Sequence, residues 1–314
     1  MTRVSIVVVT HNSAAEIGPC LQALASLPDL EVLVVDNASS DPTCATVLAH
    51  SVRLIANTVN TGFAAAVNQG VRATTAPLVL LLNPDAHLVR GLDALIRRCE
   101  DPQTGGAGGL LTGTDGLPQT GFMARNLPTP AALVFEILGF NRLWPDNSAN
   151  WHYRCRGNDW MTASLVEQPA GAFFMFPRQV WQQLGGFDET FHPVWFEDVD
   201  FCARIKAAGL RVWYEPLAVA SHAGSHSINS LSRQNREQYW YGNLLEYAAK
   251  YYRSSAFRTV CAAVVMGSIL RALWELPRSG VKSGVKILPV YFAIASHATG
   301  LFFGRRKVSV PDVV

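Results

Sequence analysis

A chain of 314 residues, 49% hydrophobic and 16% charged, can bury a large core, which excludes an intrinsically disordered protein. Its formal net charge of +2 conceals a division: residues 250–314 hold ten Lys/Arg against two Asp/Glu, a net of +8, while residues 1–249 hold 16 against 22, a net of −6. An acidic body argues against nucleic acid as a partner, and a basic tail whose charges are interleaved with apolar residues points to an anionic membrane surface.

In chain order, short β-branched runs at 4–10, 31–37, 52–58 and 78–84 alternate with amphipathic segments at 13–26, 41–50, 61–73 and 90–99. The near-continuous apolar runs Ser5-Ile6-Val7-Val8-Val9 and Val79-Leu80-Leu81-Leu82 suit strands buried on both faces, so the expectation is a doubly wound α/β fold with a mostly parallel sheet. Residues 105–150 are rich in Gly, Pro and Asn and read as a long irregular connection over the active-site side. Regularity returns with a strand at 168–177, a helix at 178–184, a loop at 185–195, a helix at 197–208 and a strand at 210–215, Gly209 standing where a helix C-cap belongs.

Beyond residue 230 the pattern is helical, amphipathic at 236–252 and apolar at 259–270. Residues 287–304 carry no formal charge and are followed by Arg305-Arg306-Lys307. The chain therefore divides into a body over 1–249 and a basic, apolar helical extension over 250–314. The 18 residues 287–304 are short for a span and contain Pro289, Ser296, His297 and Thr299, so binding in the membrane plane fits better than crossing it or ordinary packing on the body. Six cysteines without metal or CxxC spacing read as reduced core residues. No secretory signal pattern follows Met1, so the body is expected in the cytoplasm.

In an open α/β sheet, ligands bind at the carboxyl ends of the strands. Those ends carry Thr10-His11-Asn12, then Asp36-Asn37 with Ser39 and Asp41, then Asn57 and Asn60, then Asn83-Pro84-Asp85. Helix capping explains Ser13 or Asp41 but does not require acids at Asp36 and Asp85. An Asp placed like Asp85 can bind a divalent cation that also grips a diphosphate. A second cluster, Trp195-Phe196-Glu197-Asp198-Val199-Asp200, follows the Gly185-Gly186-Phe187-Asp188 loop and offers a base for an attacking hydroxyl and a group for sugar hydroxyls. A third, His222-Ala223-Gly224-Ser225-His226-Ser227, supplies in His222 an imidazole metal ligand.

The ordered set Val-Val-Val-Thr-His-Asn (7–12), Val-Val-Asp-Asn-Ala-Ser-Ser-Asp (34–41), Asn-Thr-Gly-Phe-Ala-Ala-Ala-Val-Asn-Gln-Gly (60–70), Leu-Leu-Asn-Pro-Asp-Ala (81–86), Gly-Ala-Phe-Phe-Met (171–175) and Trp-Phe-Glu-Asp-Val-Asp-Phe (195–201), with His222, resembles the family 2 glycosyltransferases. Within them it looks like the bacterial rhamnosyltransferase-like group that builds cell-surface polysaccharides. The resemblance implies a GT-A nucleotide-diphospho-sugar fold and an inverting, Mg²⁺- or Mn²⁺-dependent transfer. Asp36 would hold the nucleotide base with Thr10 and Asn12 near it, and Asn60 and Asn68 would line the donor cleft. Asp85 would bind the metal with His222 as a further ligand. Asp198 would be the catalytic base, with Glu197 and Trp195 on the acceptor. Asn83 replaces the first Asp of the family's Asp-x-Asp motif and so is expected to orient ribose or diphosphate. The Gln-x-x-Arg-Trp motif of processive synthases is absent, which favours one transfer per binding event.

By this resemblance the donor is a nucleotide sugar, dTDP-L-rhamnose before a UDP-sugar, and the acceptor a glycan or polyprenyl-linked sugar at the cytoplasmic face of the inner membrane. A sugar-phosphate nucleotidyltransferase would open with a glycine-rich, arginine-bearing loop where Thr10-His11-Asn12-Ser13 stands. A non-catalytic sugar-nucleotide scaffold would lack the acids around Asp198.

Overall fold

The computed structural model describes residues 2–224, 231–275 and 280–304, the last with side chains from 287 onward. His226 and Ser227, and the basic Arg305, Arg306 and Lys307, lie outside the described residues. The chain runs β1 (Val4–Thr10), α1 (Ala14–Leu24), β2 (Leu30–Asp36), α2 (Thr43–Ala49), β3 (Arg53–Ala56), α3 (Phe63–Ala73), β4 (Leu78–Leu82), β5 (Ala86–Arg90) and α4 (Leu92–Cys99). There follow β6 (Thr104–Thr112), β7 (Ala124–Arg125), α5 (Pro130–Ile137), α6 (Phe140–Leu143), α7 (Ser148–Tyr153), β8 (Ser164–Leu165), β9 (Gln168–Pro169) and β10 (Phe173–Pro177). The remainder is α8 (Arg178–Gln183), α9 (Glu197–Ala207), β11 (Arg211–His222), α10 (Arg233–Tyr251), α11 (Ser254–Glu275) and α12 (Gly280–Phe303).

Eight strands lie in the order β3-β2-β1-β4-β10-β6-β11-β5, with β8 added on β11. β1 pairs in parallel with β2 and β4, and β2 with β3, so four consecutive strand ends point one way. β10 runs antiparallel to β4 and β6. The fully buried Leu78–Leu82 and the almost fully buried Val4–Thr10 account for the apolar runs in the sequence.

The irregular connection expected over 105–150 is corrected at both ends. Its first part is β6, between β10 and β11, and its last part forms α5, α6 and α7. The glycines of β6 make room for neighbouring side chains. A Cβ on Gly106 would stand 2.5 Å from the Phe174 ring, and one on Gly109 would stand 2.4 Å from Phe173. β11 also continues seven residues past the expected end at 215, through a register shift against β6 between Glu215 and Val219 that accommodates Pro216. That continuation carries His222 to the carboxyl-end side of the sheet, opposite Ala86 of β5.

Packing divides the chain into two compact units: Met1–Leu127 with Arg154–Ser230, and Pro128–Tyr153 with Leu231–Val314. The sequence boundary at 249 falls inside α10, and the second unit recruits α5–α7 from the middle of the chain. In that helical unit α11 packs on α12 and α5, and the Tyr252 hydroxyl donates to the Pro128 carbonyl. By length and composition α11 is long and apolar enough to cross a membrane, although 39% of its most apolar window is buried.

Candidate active site

The ends of β1, β2 and β3 are tied into one polar rim. Asp36 Oδ1 accepts from Thr10 Oγ1 at 2.9 Å and Ser39 Oγ at 2.5 Å, and its Oδ2 accepts from the Ser39 N–H at 2.9 Å. Asn12, in the left-handed region at φ 52°, accepts on Oδ1 from the Ser40 N–H at 2.8 Å. Asn60 Oδ1 accepts from Asn37 Nδ2 and the Gly62 N–H, both at 2.9 Å. Asp41 caps: its Oδ2 accepts from the Ala14 N–H at 3.1 Å, at the first residue of α1, and its Oδ1 from the Thr43 N–H at 3.1 Å.

Asn68 departs from the donor-lining role expected of it. Its NH₂ donates to the Phe187 carbonyl and Glu189 Oε1, both at 2.8 Å, and its Oδ1 accepts from Trp181 Nε1 at 3.0 Å and the Phe187 N–H at 2.8 Å. All four hydrogen-bonding positions are taken by protein, so this amide holds the Gly185–Asp188 loop against α3 and has nothing left for a ligand.

Asp85 lies in the turn that ends β4, in which the Ala86 N–H donates to the Asn83 carbonyl at 3.0 Å. Its Oδ1 lies 3.4 Å from His222 Nε2, and its Oδ2 accepts from the Gly224 N–H at 3.1 Å. Burial would raise the Asp85 pKa, but the hydrogen bond and charge of His222 together with the Gly224 N–H outweigh it and hold the carboxyl below the ordinary range. His222 Nδ1 sits 2.9 Å from Gln119 Oε1, Gln119 Nε2 donates to the His222 carbonyl at 2.8 Å, and Phe122 stacks on the imidazole at 5.2 Å. With Nδ1 turned to Gln119, Nε2 is the ring nitrogen that faces Asp85. A carboxylate oxygen and an imidazole nitrogen 3.4 Å apart are close to the roughly 3 Å between adjacent ligands of an octahedral cation. The two residues fit a divalent metal, although no group of three or more His, Cys, Asp or Glu gathers around one among the described residues.

The cluster at α9 separates into three distinct acids. Asp200 is fully buried and ion-paired with Arg204 Nε at 2.8 Å, while Arg204 Nη1 also donates to the Leu184 and Gly186 carbonyls, each at 2.8 Å. Glu197 is buried, its Oε2 has no hydrogen-bond partner, and burial plus the charge of Asp198 pushes its pKa well up. Asp198 alone remains partly open. Its Oδ2 accepts from Gln168 Nε2 at 3.0 Å and the Gly171 N–H at 3.3 Å, and its Oδ1 from the Val199 N–H at 2.8 Å. Burial raises its pKa despite those bonds and the charge of Arg125. Burial therefore raises Glu197 further than Asp198, whose carboxylate oxygens accept three hydrogen bonds. Glu197 is 5% exposed, which leaves little of that side chain open to acceptor hydroxyls.

Trp195 and Phe196 precede this helix at φ 79° and 73°, two bulky residues in the left-handed region. Such conformations cost about 1–3 kcal/mol each and persist where surroundings over-determine them. Here Arg204 and Asn68 clamp the loop at 184–187, and the Phe63 N–H donates to the Pro193 carbonyl at 2.7 Å. The pairing makes Asp200 more than a first-turn acid. Asp200→Asn, which leaves Arg204 unpaired, is expected to destabilise the protein by about 3 kcal/mol, at the low end for a buried pair because Arg204 keeps 20% exposure. A thermal melt checks it, with a Tm lower by about 6–12 °C.

The turn that carries Asp85 and the open acid are joined through two consecutive residues: the Asn83 N–H donates to the Ala172 carbonyl at 3.0 Å, and the Gly171 N–H donates to Asp198. Gln119, Phe122 and Gln168 were not singled out from sequence. Gln119 and Phe122 lie in the stretch read as irregular, where no periodicity marks a residue that buttresses another.

Comparison with known proteins places the chain in a family. The profile described as "Glycosyl transferase family 2" matches residues 5–164, and "Glycosyl transferase family group 2" matches residues 142–303. The N-acetylglucosaminyl-diphospho-decaprenol L-rhamnosyltransferase of Mycobacterium tuberculosis is 30% identical over 240 residues, 71% of this chain and 76% of that one. Among solved structures, a mannosyltransferase from Pyrobaculum calidifontis in complex with GDP-Man and Mn²⁺ superposes with a TM-score of 0.51 at 20% identity, covering 96% of this chain and 76% of that one. GalNAc-T7 with UDP, GalNAc and Mn²⁺ gives 0.52 at 15% identity over 71% and 44% of the two chains. The strand-end rim, the ordered motifs and these matches together make the chain a family 2 glycosyltransferase of the bacterial rhamnosyltransferase-like kind, a hexosyltransferase on the GT-A fold.

Proposed function

We propose that this enzyme carries out an inverting, divalent-metal-dependent transfer of L-rhamnose from dTDP-L-rhamnose to a hydroxyl of a polyprenyl-linked sugar, in bacterial cell-surface polysaccharide or glycolipid synthesis. The observation that carries the reading is the bridge at Gly171 and Ala172, which links the Asp85–His222 pair to the one acid of α9 that remains partly open. The Mycobacterium relative, named for a rhamnosyl transfer to a decaprenol-linked acceptor, supports the donor and the acceptor class. A UDP-sugar is the alternative donor.

Asp36, fixed by Thr10 and Ser39, holds the nucleotide base, with Asn12 beside it and Asn60 lining the donor. Asn83 orients ribose or diphosphate. Asp85 and His222 would hold the cation, which when bound would supply positive charge to the departing diphosphate. Asp198 accepts the proton of the acceptor hydroxyl as its oxygen bonds to the anomeric carbon from the face opposite the diphosphate. The bond from that carbon to the diphosphate oxygen breaks, and the electron pair leaves with the nucleotide. Trp195 walls the acceptor side, and Glu197 lies buried beside Asp198. A lipid-borne acceptor places the reaction at the cytoplasmic face of the membrane.

Calorimetric titration with dTDP and UDP in the presence of Mn²⁺ tests the donor. At least tenfold tighter binding of dTDP is expected, and tighter binding of UDP would remove rhamnose from the assignment.

A further inference from the structure

Helix α11 is apolar on two sides. Phe257, Val260, Cys261, Val264 and Gly267 recur at helical spacing and are buried in the helical unit, where α11 packs on α12 and α5. Met266, Ile269, Leu270, Leu273 and Trp274 recur at i, i+3, i+4, i+7 and i+8 on another face, each 51–62% exposed. A helix on the surface of a water-soluble unit carries polar residues there. A second exposed pair follows α5, which packs on α11: the Ile137 side chain occupies the space over Gly267, and Arg271 Nη2 donates to the Ile137 carbonyl at 2.8 Å. The next helix ends on Leu143 and Trp144, 84% and 63% exposed.

The same unit shows why this apolar face does not belong to a span. α10 packs on both α11 and α12, and it carries Arg233, Arg236, Glu237, Glu246 and Lys250. Arg233 is ion-paired with Glu275 at the end of α11 and lies 3.3 Å from the Tyr291 hydroxyl of α12, and the Arg271 guanidinium sits 5.4 Å from the centroid of the Tyr241 ring of α10. Drawing α11 across hydrocarbon would draw this charged helix with it. The occupant is selected by charge: the chain from 250 to 314 is +8, and tryptophans at a water–lipid boundary suit their amphipathic rings.

We propose that the exposed face of α11, with Leu143 and Trp144, is an interfacial docking surface for an anionic lipid bilayer, lying in the plane of the headgroups without spanning. The inference rests on the lipid-borne acceptor for its purpose and on the helix face for its existence.

Flotation of the full chain with phosphatidylcholine vesicles containing 30% phosphatidylglycerol tests it. Wild type is expected to bind these at least tenfold more tightly than pure phosphatidylcholine, and Leu270→Glu with Leu273→Glu to weaken that binding at least tenfold at unchanged Tm. Brominated lipids read depth in the unaltered protein: tryptophan quenching should be strongest for bromines near the headgroup end of the acyl chain. Transfer to a water-soluble acceptor, measured alongside, reports on the catalytic reading alone and should be unchanged in the double variant. Vesicle binding within twofold of wild type in that variant, equal binding to neutral vesicles, or strongest quenching by bromines at the chain ends would overturn the proposal. So would a lipid-free dimer that the substitutions dissolve, or loss of the water-soluble activity with the substitutions.

Discussion

Excess chelator is expected to abolish transfer, and Mg²⁺ or Mn²⁺ to restore it. Asp85 is held as an anion by His222 and the Gly224 N–H, and His222 is oriented by Gln119, so the pair already presents an anionic oxygen and an imidazole nitrogen on the strand-end side of the sheet. Nothing else in the described residues around them brings a third acid or imidazole, which leaves the remaining positions of a cation to diphosphate and water. Asp85→Ala should therefore mimic the chelator, with kcat down by at least about 10²-fold, the scale of losing one electrostatic contact to developing charge. His222→Ala should be milder, because water can stand in for the imidazole. Full activity in excess chelator, with folding verified by a thermal melt, would remove the metal from the mechanism.

Asp198→Asn is expected to lower kcat by about 10²-fold or more, equivalent to about 2.7 kcal/mol of transition-state stabilisation. The amide keeps the volume and can still accept from the Val199 N–H, yet it cannot take the acceptor proton. Donor affinity should stay within about twofold, since none of the groups proposed to hold the nucleotide touches this side chain. The pH profile carries the same assignment. A base works ionised, so activity falls as pH drops through its pKa, and because burial raises Asp198 the acid limb should lie above the range of an ordinary aspartate. Glu197→Gln should leave that limb in place, since burial and not Glu197 raises Asp198.

Periodicity and strand-end chemistry were enough to read the nucleotide-binding half of the fold. Strands such as Leu78–Leu82 are apolar throughout because both faces are covered, and their ends must be polar because ligand and helix termini meet there. The middle of the chain was misread for a physical reason. Glycine in β6 answers to Phe173 and Phe174 on the neighbouring strand β10, contacts 64 and 68 residues away that composition cannot express, so a central strand looked like a loop. β11 was cut short at Pro216, which sits at a register shift and not at an end. Within the site, sequence grouped Glu197, Asp198 and Asp200 as one acidic turn, and only packing separates the partly open Asp198 from the buried Glu197 and from the partner of Arg204. Asn68 was read from its place in a motif, whereas its four bonds give it a structural task that no pattern along the chain reveals. Gln119 and Gln168 were invisible for the same reason, since each acts through another side chain.

The most direct test of the account is a comparison of Asp198→Asn, Glu197→Gln and Asp200→Asn in steady-state transfer, with nucleotide affinity by calorimetry and folding by thermal melts on the same samples. The account predicts that Asp198→Asn is folded, binds nucleotide within about twofold of wild type and has lost about 10²-fold or more in kcat. It also predicts that Asp200→Asn loses mainly Tm. A folded Asp198→Asn with near-wild-type kcat, beside a folded and inactive Glu197→Gln or Asp200→Asn, would contradict it.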